Sequence, residues 1–91
     1  MAVTVRVPTT LRVLTAGASE ASVEGATLAE VLESLESKHP GFAERILDDA
    51  GELRRFVNVF VDDDDVRFLD GLDTSVAEGV TVSIVPAVAG G

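Results

Sequence analysis

The segment TLAEVLESLESK, residues 27–38, carries the clearest secondary-structure signal in this chain and decides its fold. Its large apolar residues recur every three or four positions, which places them on one stripe of an α-helix: Leu28, Val31, Leu32 and Leu35. Thr27 and Glu30 form a Thr-x-x-Glu capping box at the start, and the sequence KHPG at 38–41 marks the end. The segment therefore predicts one long amphipathic helix whose apolar stripe needs a covering layer.

Runs of β-branched and aromatic residues on both sides of this helix predict the strands of that layer. Val3, Val5 and Val7 alternate with polar residues, and residues 19–24 form a second candidate strand. Three more runs complete the set of predicted strands: 56–61 as a central strand, 66–68 as a short one after an aspartate turn, and 80–85. One long helix among segregated strands favours the α+β class, with a mixed sheet of four to five strands. We expect the helical stripe to pack against Val5, Val57, Val59, Val82 and Ile84.

Length and composition narrow the possible functions. The chain has 91 residues, 46% of them hydrophobic, which is one domain with a real core. The formal net charge of −9 argues against nucleic acid and anionic membranes, since binding phosphates requires clustered Lys and Arg. It favours a self-repelling monomer, or a partner with a basic docking face. With no visible secretory signal or membrane-spanning run, the expected location is the cytoplasm.

The chain holds few residues that could catalyse a reaction. It contains no cysteine, and His39 and Lys38 are its only histidine and lysine. His39 is explained by its place beside a helix C-terminus, where a positive charge is favourable. The four aspartates at 62–65 lack the glycine and the distal glutamate of a calcium loop, so we interpret them as a solvated turn. The sequence therefore predicts no catalytic residues, no metal site and no bound cofactor.

The C-terminal sequence AVAGG, residues 87–91, is of a different kind. It follows a proline that ends the last strand and has no long side chain, so we separate it as a flexible tail from a domain at residues 1–86. Two terminal glycines allow a chain end to pass through a narrow channel that a Cβ atom would block. Val88, Ala89, Gly90 and Gly91 are therefore the candidate residues for entering a partner's active site. A merely frayed terminus explains the same residues equally well.

Three longer stretches identify a family. RRFVNVFV at 54–61, DVRFLDGLDT at 65–74 and VSIVPAVAGG at 82–91 resemble the ubiquitin-like (β-grasp) sulfur carriers of the ThiS/MoaD family, and most nearly its actinobacterial CysO type. The resemblance implies a β-grasp fold and a carrier rather than an enzyme. It also implies that an ATP- and Mg-dependent, ubiquitin-activating-like adenylyltransferase/sulfurtransferase adenylates the Gly91 carboxylate and converts it to a thiocarboxylate.

The same resemblance implies partners downstream of the activated tail. These are a PLP-dependent cysteine synthase or a thiosugar synthase that accepts the sulfur, and a metallopeptidase that releases the product. Two alternatives stay open: a ubiquitin-like modifier that forms isopeptide bonds through Gly91, and a non-covalent β-grasp interaction module. Strand alternation further predicts a docking patch on the sheet face opposite the helix, formed by Arg6, Phe60 and Val85 with Ser83 beside them, unless a loop or the tail covers Phe60.

Overall fold

The computed structural model describes residues 2–86. Its strands and helices, in chain order, are β1 Ala2–Arg6, β2 Glu20–Glu24, α1 Leu28–Lys38, α2 Phe42–Ile46, β3 Val57–Val61, β4 Asp64–Asp65 and β5 Thr81–Pro86. Three 3-10 helices lie in the connections, at Thr9–Thr15, Val66–Phe68 and Gly71–Asp73.

The strands form one five-stranded mixed sheet in the order β2-β1-β5-β3-β4. The central pair, β1 and β5, is parallel, and all other neighbours are antiparallel. The last strand in sequence is therefore the middle strand of the sheet, with hydrogen-bonded neighbours on both sides. This architecture confirms the prediction of an α+β fold, in which a long helix packs across a mixed sheet.

The apolar stripe of α1 packs against one face of the sheet, as predicted. Leu28, Val31 and Leu35 are 0% exposed and Leu32 is 4% exposed. The sheet contributes the five predicted residues to the same core: Val5, Val57, Val59, Val82 and Ile84. Burial of these aliphatic side chains is the main force that fixes the helix on the sheet.

The start of α1 is held by the predicted capping box, with one difference in its partners. The Glu30 backbone N–H donates to Thr27 Oγ1 at 3.3 Å. The Glu30 carboxylate accepts the N–H of Ala26 at 2.9 Å, one residue before the N-cap rather than at the N-cap itself. Both bonds satisfy amides that have no partner inside the helix.

The prediction of a strand at 66–68 is wrong. The returning strand is the two-residue β4 at Asp64–Asp65, and Val66–Phe68 is a 3-10 helix. Asp62 adopts a left-handed backbone (φ 56°), which turns the chain within two residues and brings it back to β3 earlier than expected. Asp65 then ends the strand, because its carboxylate accepts the N–H of Arg67 at 2.8 Å and begins the 3-10 helix.

A second, shorter helix, α2, follows α1 after the Pro-Gly break. Gly41 provides its N-terminus with φ 114°, and it has no side chain with which to cap the helix. The Glu36 carboxylate, from α1, supplies the cap by accepting the N–H groups of Ala43 at 2.8 Å and Gly41 at 3.1 Å. These bonds, that of Ala43 first, hold the pKa of Glu36 below its ordinary value of 4.5 against the opposing effect of burial.

The outer edge of the sheet at β2 is closed by side chains from α1. Lys38 Nζ donates to the carbonyl of Ser22 at 2.7 Å, and Ser34 Oγ donates to the carbonyl of Glu24 at 2.6 Å. An open edge strand would present these carbonyls to another chain. The contacts therefore make edge-to-edge pairing at β2 less favourable.

Candidate functional site: the base of the tail and the outer sheet face

The C-terminal tail follows directly from the central strand of the sheet. Pro86, the last residue that the structure describes, pairs with Val57 of β3. The predictions for Val88, Ala89, Gly90 and Gly91 concern residues outside the described range. The geometry of the site is therefore that of the base of the tail and its surroundings.

The three predicted docking residues share the outer sheet face, which we define as the face opposite α1. In β5, Val82 and Ile84 are buried under α1, so Ser83 and Val85 point to the other side. Register places Arg6 and Phe60 on either side of Ser83, in one row across three strands. Val85 lies one row nearer to the tail. These side chains therefore lie on one face, as the strand alternation predicts, and docking at that face stays a prediction.

Their exposure differs from residue to residue. Arg6 is exposed and Val85 is 46% exposed, whereas Phe60 is half-buried. The predictions were that Phe60 is exposed or that a loop or the tail covers it, and its partial burial lies between the two. The apolar part of the outer sheet face still has surface to bury against a partner.

Sequence reasoning missed Arg67 as part of this face. Its guanidinium donates to the Asn58 side-chain oxygen at 2.7 Å and to the Arg54 carbonyl at 2.6 Å. Asn58 pairs with Val85, so Arg67 lies over the end of the face from which the tail departs. The prediction of a strand at 66–68 did not anticipate this position, because it is the 3-10 helix that brings Arg67 back over β3.

A groove beside Pro86 continues the same surface past the C-terminal end of β1. It encloses about 480 Å³ and is lined by Arg6, Pro8, Arg12 and Val85 together with Pro86. Arg12 is fixed there by the bond from its Nε to the carbonyl of Val7 at 3.1 Å. The base of the tail is therefore flanked by two arginines, with Glu20 in the same groove.

Arginines are concentrated at this site although the net charge is −9, and Glu20 and Asp65 lie at its borders. Arg6, Arg12 and Arg67 are three of the seven basic residues of the whole chain. Acidic groups on a partner would be attracted to this region. The partner with a basic docking face, predicted from the net charge, is therefore expected at other surfaces of the molecule.

The remaining sequence candidates have structural roles. His39 is half-buried, and its ring stands edge-on to Phe42 with centroids 6.5 Å apart. The predicted aspartate turn is confirmed at residues 62–63, where Asp62 also accepts the N–H of Thr81 at 3.2 Å, but residues 64–65 form β4. Within residues 2–86, no three His, Asp or Glu side chains are grouped so that they could hold a metal ion. The same residues contain no helix with the length and hydropathy needed to cross a membrane.

Comparison with known proteins decides the family. The sequence model of the ThiS family matches residues 5–91, which includes the tail. The chain belongs to the ThiS family. Within that family it is 50% identical to the sulfur carrier protein CysO of Mycobacterium tuberculosis, over the full length of both chains. Its β-grasp fold is that of CysO from Amycolatopsis orientalis, solved in complex with BexX, with a TM-score of 0.92 and 46% identity over 98% of this chain and 99% of that one.

A relative outside the CysO group is also similar to this ThiS-family chain. The small archaeal modifier protein 3 of Haloferax volcanii is 43% identical over 68 residues, which cover 75% of this chain and 73% of that protein. The relatives are thus small β-grasp carriers and modifiers rather than catalysts. The chain is a sulfur carrier protein of the CysO type.

Proposed function

We propose that the carboxylate of Gly91 is the group on which this chain carries sulfur. The observation that supports this proposal most directly is the match to the ThiS family, which extends through the last residue. The matched region includes both the central strand β5 and the Gly-Gly end that follows it. A carboxylate is a poor electrophile, so it must first be activated. An adenylyltransferase partner supplies ATP and Mg, the Gly91 oxygen attacks the α-phosphorus, and pyrophosphate leaves.

The acyl-adenylate then exchanges its leaving group for sulfur. Hydrosulfide attacks the Gly91 carbonyl carbon, the bond to the AMP oxygen breaks, and a thiocarboxylate remains on the chain. The thiocarboxylate is a soft nucleophile attached to a protein, so sulfur is delivered without free sulfide. The expected acceptors are a PLP-dependent cysteine synthase or a thiosugar or cofactor synthase, followed in the cysteine route by a metallopeptidase that releases the product.

The chain's own part in this chemistry is to bind and position. The outer sheet face offers Val85 and Phe60 as apolar contacts, and Arg6 and Arg67 as charges that orient a partner. The five residues after Pro86 would reach about 17 Å when fully extended, enough to bring the carboxylate into a partner's active site while the domain stays outside. Docking at the base of the tail holds the reacting carboxylate near its target, and such positioning can supply a large share of the rate.

A second function is favoured by one relative. Similarity to the small archaeal modifier protein 3 supports transfer of the activated Gly91 carbonyl to lysine amines of other proteins. The same activated end serves both reactions, since an amine displaces AMP as sulfide does.

Mass spectrometry distinguishes these functions. Intact protein purified from its own cells should show replacement of one oxygen by sulfur, and deletion of Gly91 should abolish this species without lowering the melting temperature. A modifier would instead appear as Gly91-linked lysine adducts on other proteins. If neither species forms, and no adenylating enzyme exchanges pyrophosphate with ATP in the presence of the chain, the carrier proposal is wrong and an interaction module remains.

A further inference from the structure

The layer of the molecule away from the outer sheet face contains a separate apolar depression, which we call the α1–α2 groove. It encloses about 440 Å³ between α1, α2, the loop after α2 and the 3-10 helix at Gly71–Asp73. Its floor consists of five apolar side chains: Ala29, Leu32, Ala43, Leu47 and Leu72. A volume in this range is typical of surface sites that take up a side chain or a small ligand.

The floor of the groove is already formed in the free chain. Leu32 is 4% exposed, and Leu47 and Leu72 are partly buried against the hydrophobic core. Their remaining surface still faces water, and covering it would be favourable by the hydrophobic effect. Because the core fixes these residues, a partner would not need to order them.

The rim of the groove is acidic. Among the described residues that line it, the charged ones are Glu33, which is exposed, and Glu36, whose carboxylate caps α2. The lining residues Leu47 and Gly51 are followed in the chain by Asp48 and Glu52, both exposed.

The local structure holds the Asp48 carboxylate in place and binds the Lys38 ammonium away from the groove. The Asp48 carboxylate is held in the loop by the N–H groups of Ala50 at 2.9 Å and Glu52 at 3.1 Å. Lys38 of α1 is bound at the opposite side of the helix, to the Ser22 carbonyl of β2. Arg67, which shares a neighbouring depression with Leu72, is bound to Asn58 and to the Arg54 carbonyl. The charged residues that line the groove itself are therefore acidic, beside an apolar floor.

We propose that the α1–α2 groove docks a basic amphipathic segment of a partner protein. An aliphatic side chain of that segment covers Leu47 and Leu72, and its Lys or Arg neighbours lie beside Glu33 and Asp48. Charge complementarity selects this occupant, since an acidic or uncharged segment would leave the rim carboxylates without a counter-charge. The site goes beyond the carrier chemistry, because its lining residues are distinct from those of the outer sheet face and the base of the tail.

The proposal is tested with two synthetic amphipathic peptides that share leucines at helical spacing. One has lysine at its polar positions and the other has glutamate. Titration into the isotopically labelled full chain, followed by amide NMR, should show saturable binding of the lysine peptide with shifts at Ala29, Glu33, Leu47 and Leu72. The glutamate peptide should bind at least about tenfold more weakly. Shifts confined to the outer sheet face would overturn the proposal.

Two charge variants separate the groove from general attraction to an acidic protein. Glu33→Lys changes an exposed rim residue, and Glu78→Lys makes the same change at an exposed residue that does not line the groove. The first should weaken the lysine peptide at least about fivefold and the second less than about twofold, with both melting temperatures retained. Equal effects of the two variants would show non-specific electrostatics and refute the site. Sulfur loading at Gly91 is measured on the same variants, so a failure of the groove is distinguishable from a failure of the carrier function.

Discussion

Substitution of Gly25 by alanine tests how tightly the loop before α1 is fitted to the helix. An ideal Cβ on Gly25 would lie 2.7 Å from the backbone nitrogen of Val31 and 3.0 Å from the backbone carbon of Glu30. Ordinary contacts begin near 3.4 Å, so loop and helix would have to separate by about 0.7 Å. The loop is bound on both sides, because Ala26 donates to the Glu30 carboxylate and accepts the N–H of Val76. The first turn of α1 cannot move without breaking these bonds.

Two effects of opposite sign determine the result. Overpacking of this kind costs about 1–3 kcal/mol. Alanine also restricts the unfolded chain, and Gly25 does not have a positive φ, so that restriction stabilises the folded protein by about 0.4–1 kcal/mol. The net expectation is a loss of about 0–2.6 kcal/mol, centred near 1.3 kcal/mol. For a domain of this size, each kcal/mol lowers the melting temperature by about 4–8 °C.

Urea unfolding followed by far-ultraviolet circular dichroism measures the difference. Gly51→Ala is the comparison, since a Cβ there meets nothing within 4 Å although φ is 81°. That variant should lose about 1 kcal/mol through backbone strain alone, and a double variant should show additive losses because the sites share no contact. A Gly25→Ala protein that is more stable than the wild type would refute the fitted-loop argument.

Four further outcomes are expected. Leu35→Ala, at a side chain that is 0% exposed, should cost about 2–5 kcal/mol in urea unfolding, and a loss below about 1 kcal/mol would contradict the core assignment. Glu36→Gln should destabilise the protein at neutral pH. Because the folded-state pKa of Glu36 is lowered, the stability that this carboxylate contributes is present above pH 4.5 and is lost as the pH falls through the folded-state pKa. Unfolding free energies of the two proteins, measured against pH, should therefore converge in acid rather than run parallel. Val85→Ser should weaken binding to the adenylating enzyme about fivefold in calorimetry, whereas Val13→Ser, which is 78% exposed outside the sheet, should have no effect; equal losses would argue against the outer sheet face. Gly90→Ala should slow adenylation about 100-fold without changing the melting temperature, and loading at the wild-type rate would dismiss the narrow-channel argument.

The elements that were predictable from sequence are those with a strong local pattern. The stripe of α1 and the alternation in β3 and β5 fix which face each residue buries, because a helix has a period of 3.6 residues and a strand a period of 2. The common face of Arg6, Phe60 and Val85 follows from this alternation once the three strands are neighbours. These features depend on side-chain period alone and need no knowledge of the turns.

The features that were missed depend on turn geometry and on distant contacts. The early return of the chain at β4 results from the left-handed backbone of Asp62, and four consecutive aspartates do not reveal which of them adopts it. The position of Arg67 over Asn58 follows from that turn. The cap that Glu36 provides for α2 joins two helices through a side chain, and no local motif signals it. The α1–α2 groove likewise includes Leu72, which lies more than 20 residues from the other residues of its floor.

The place of β5 in the sheet has a mechanical consequence for a chain whose end is handled by enzymes. A partner that grips residues 87–91 pulls along the axis of β5, which is bonded to β1 on one side and to β3 on the other. The hydrogen bonds of both ladders lie across the direction of that pull, so they are loaded together, in shear, instead of being opened one after another like a zipper. Because β1 runs parallel to β5, the two ends of the chain are joined through this loaded pair. We therefore expect the tail to be threaded and withdrawn repeatedly while the domain behind it resists being unravelled.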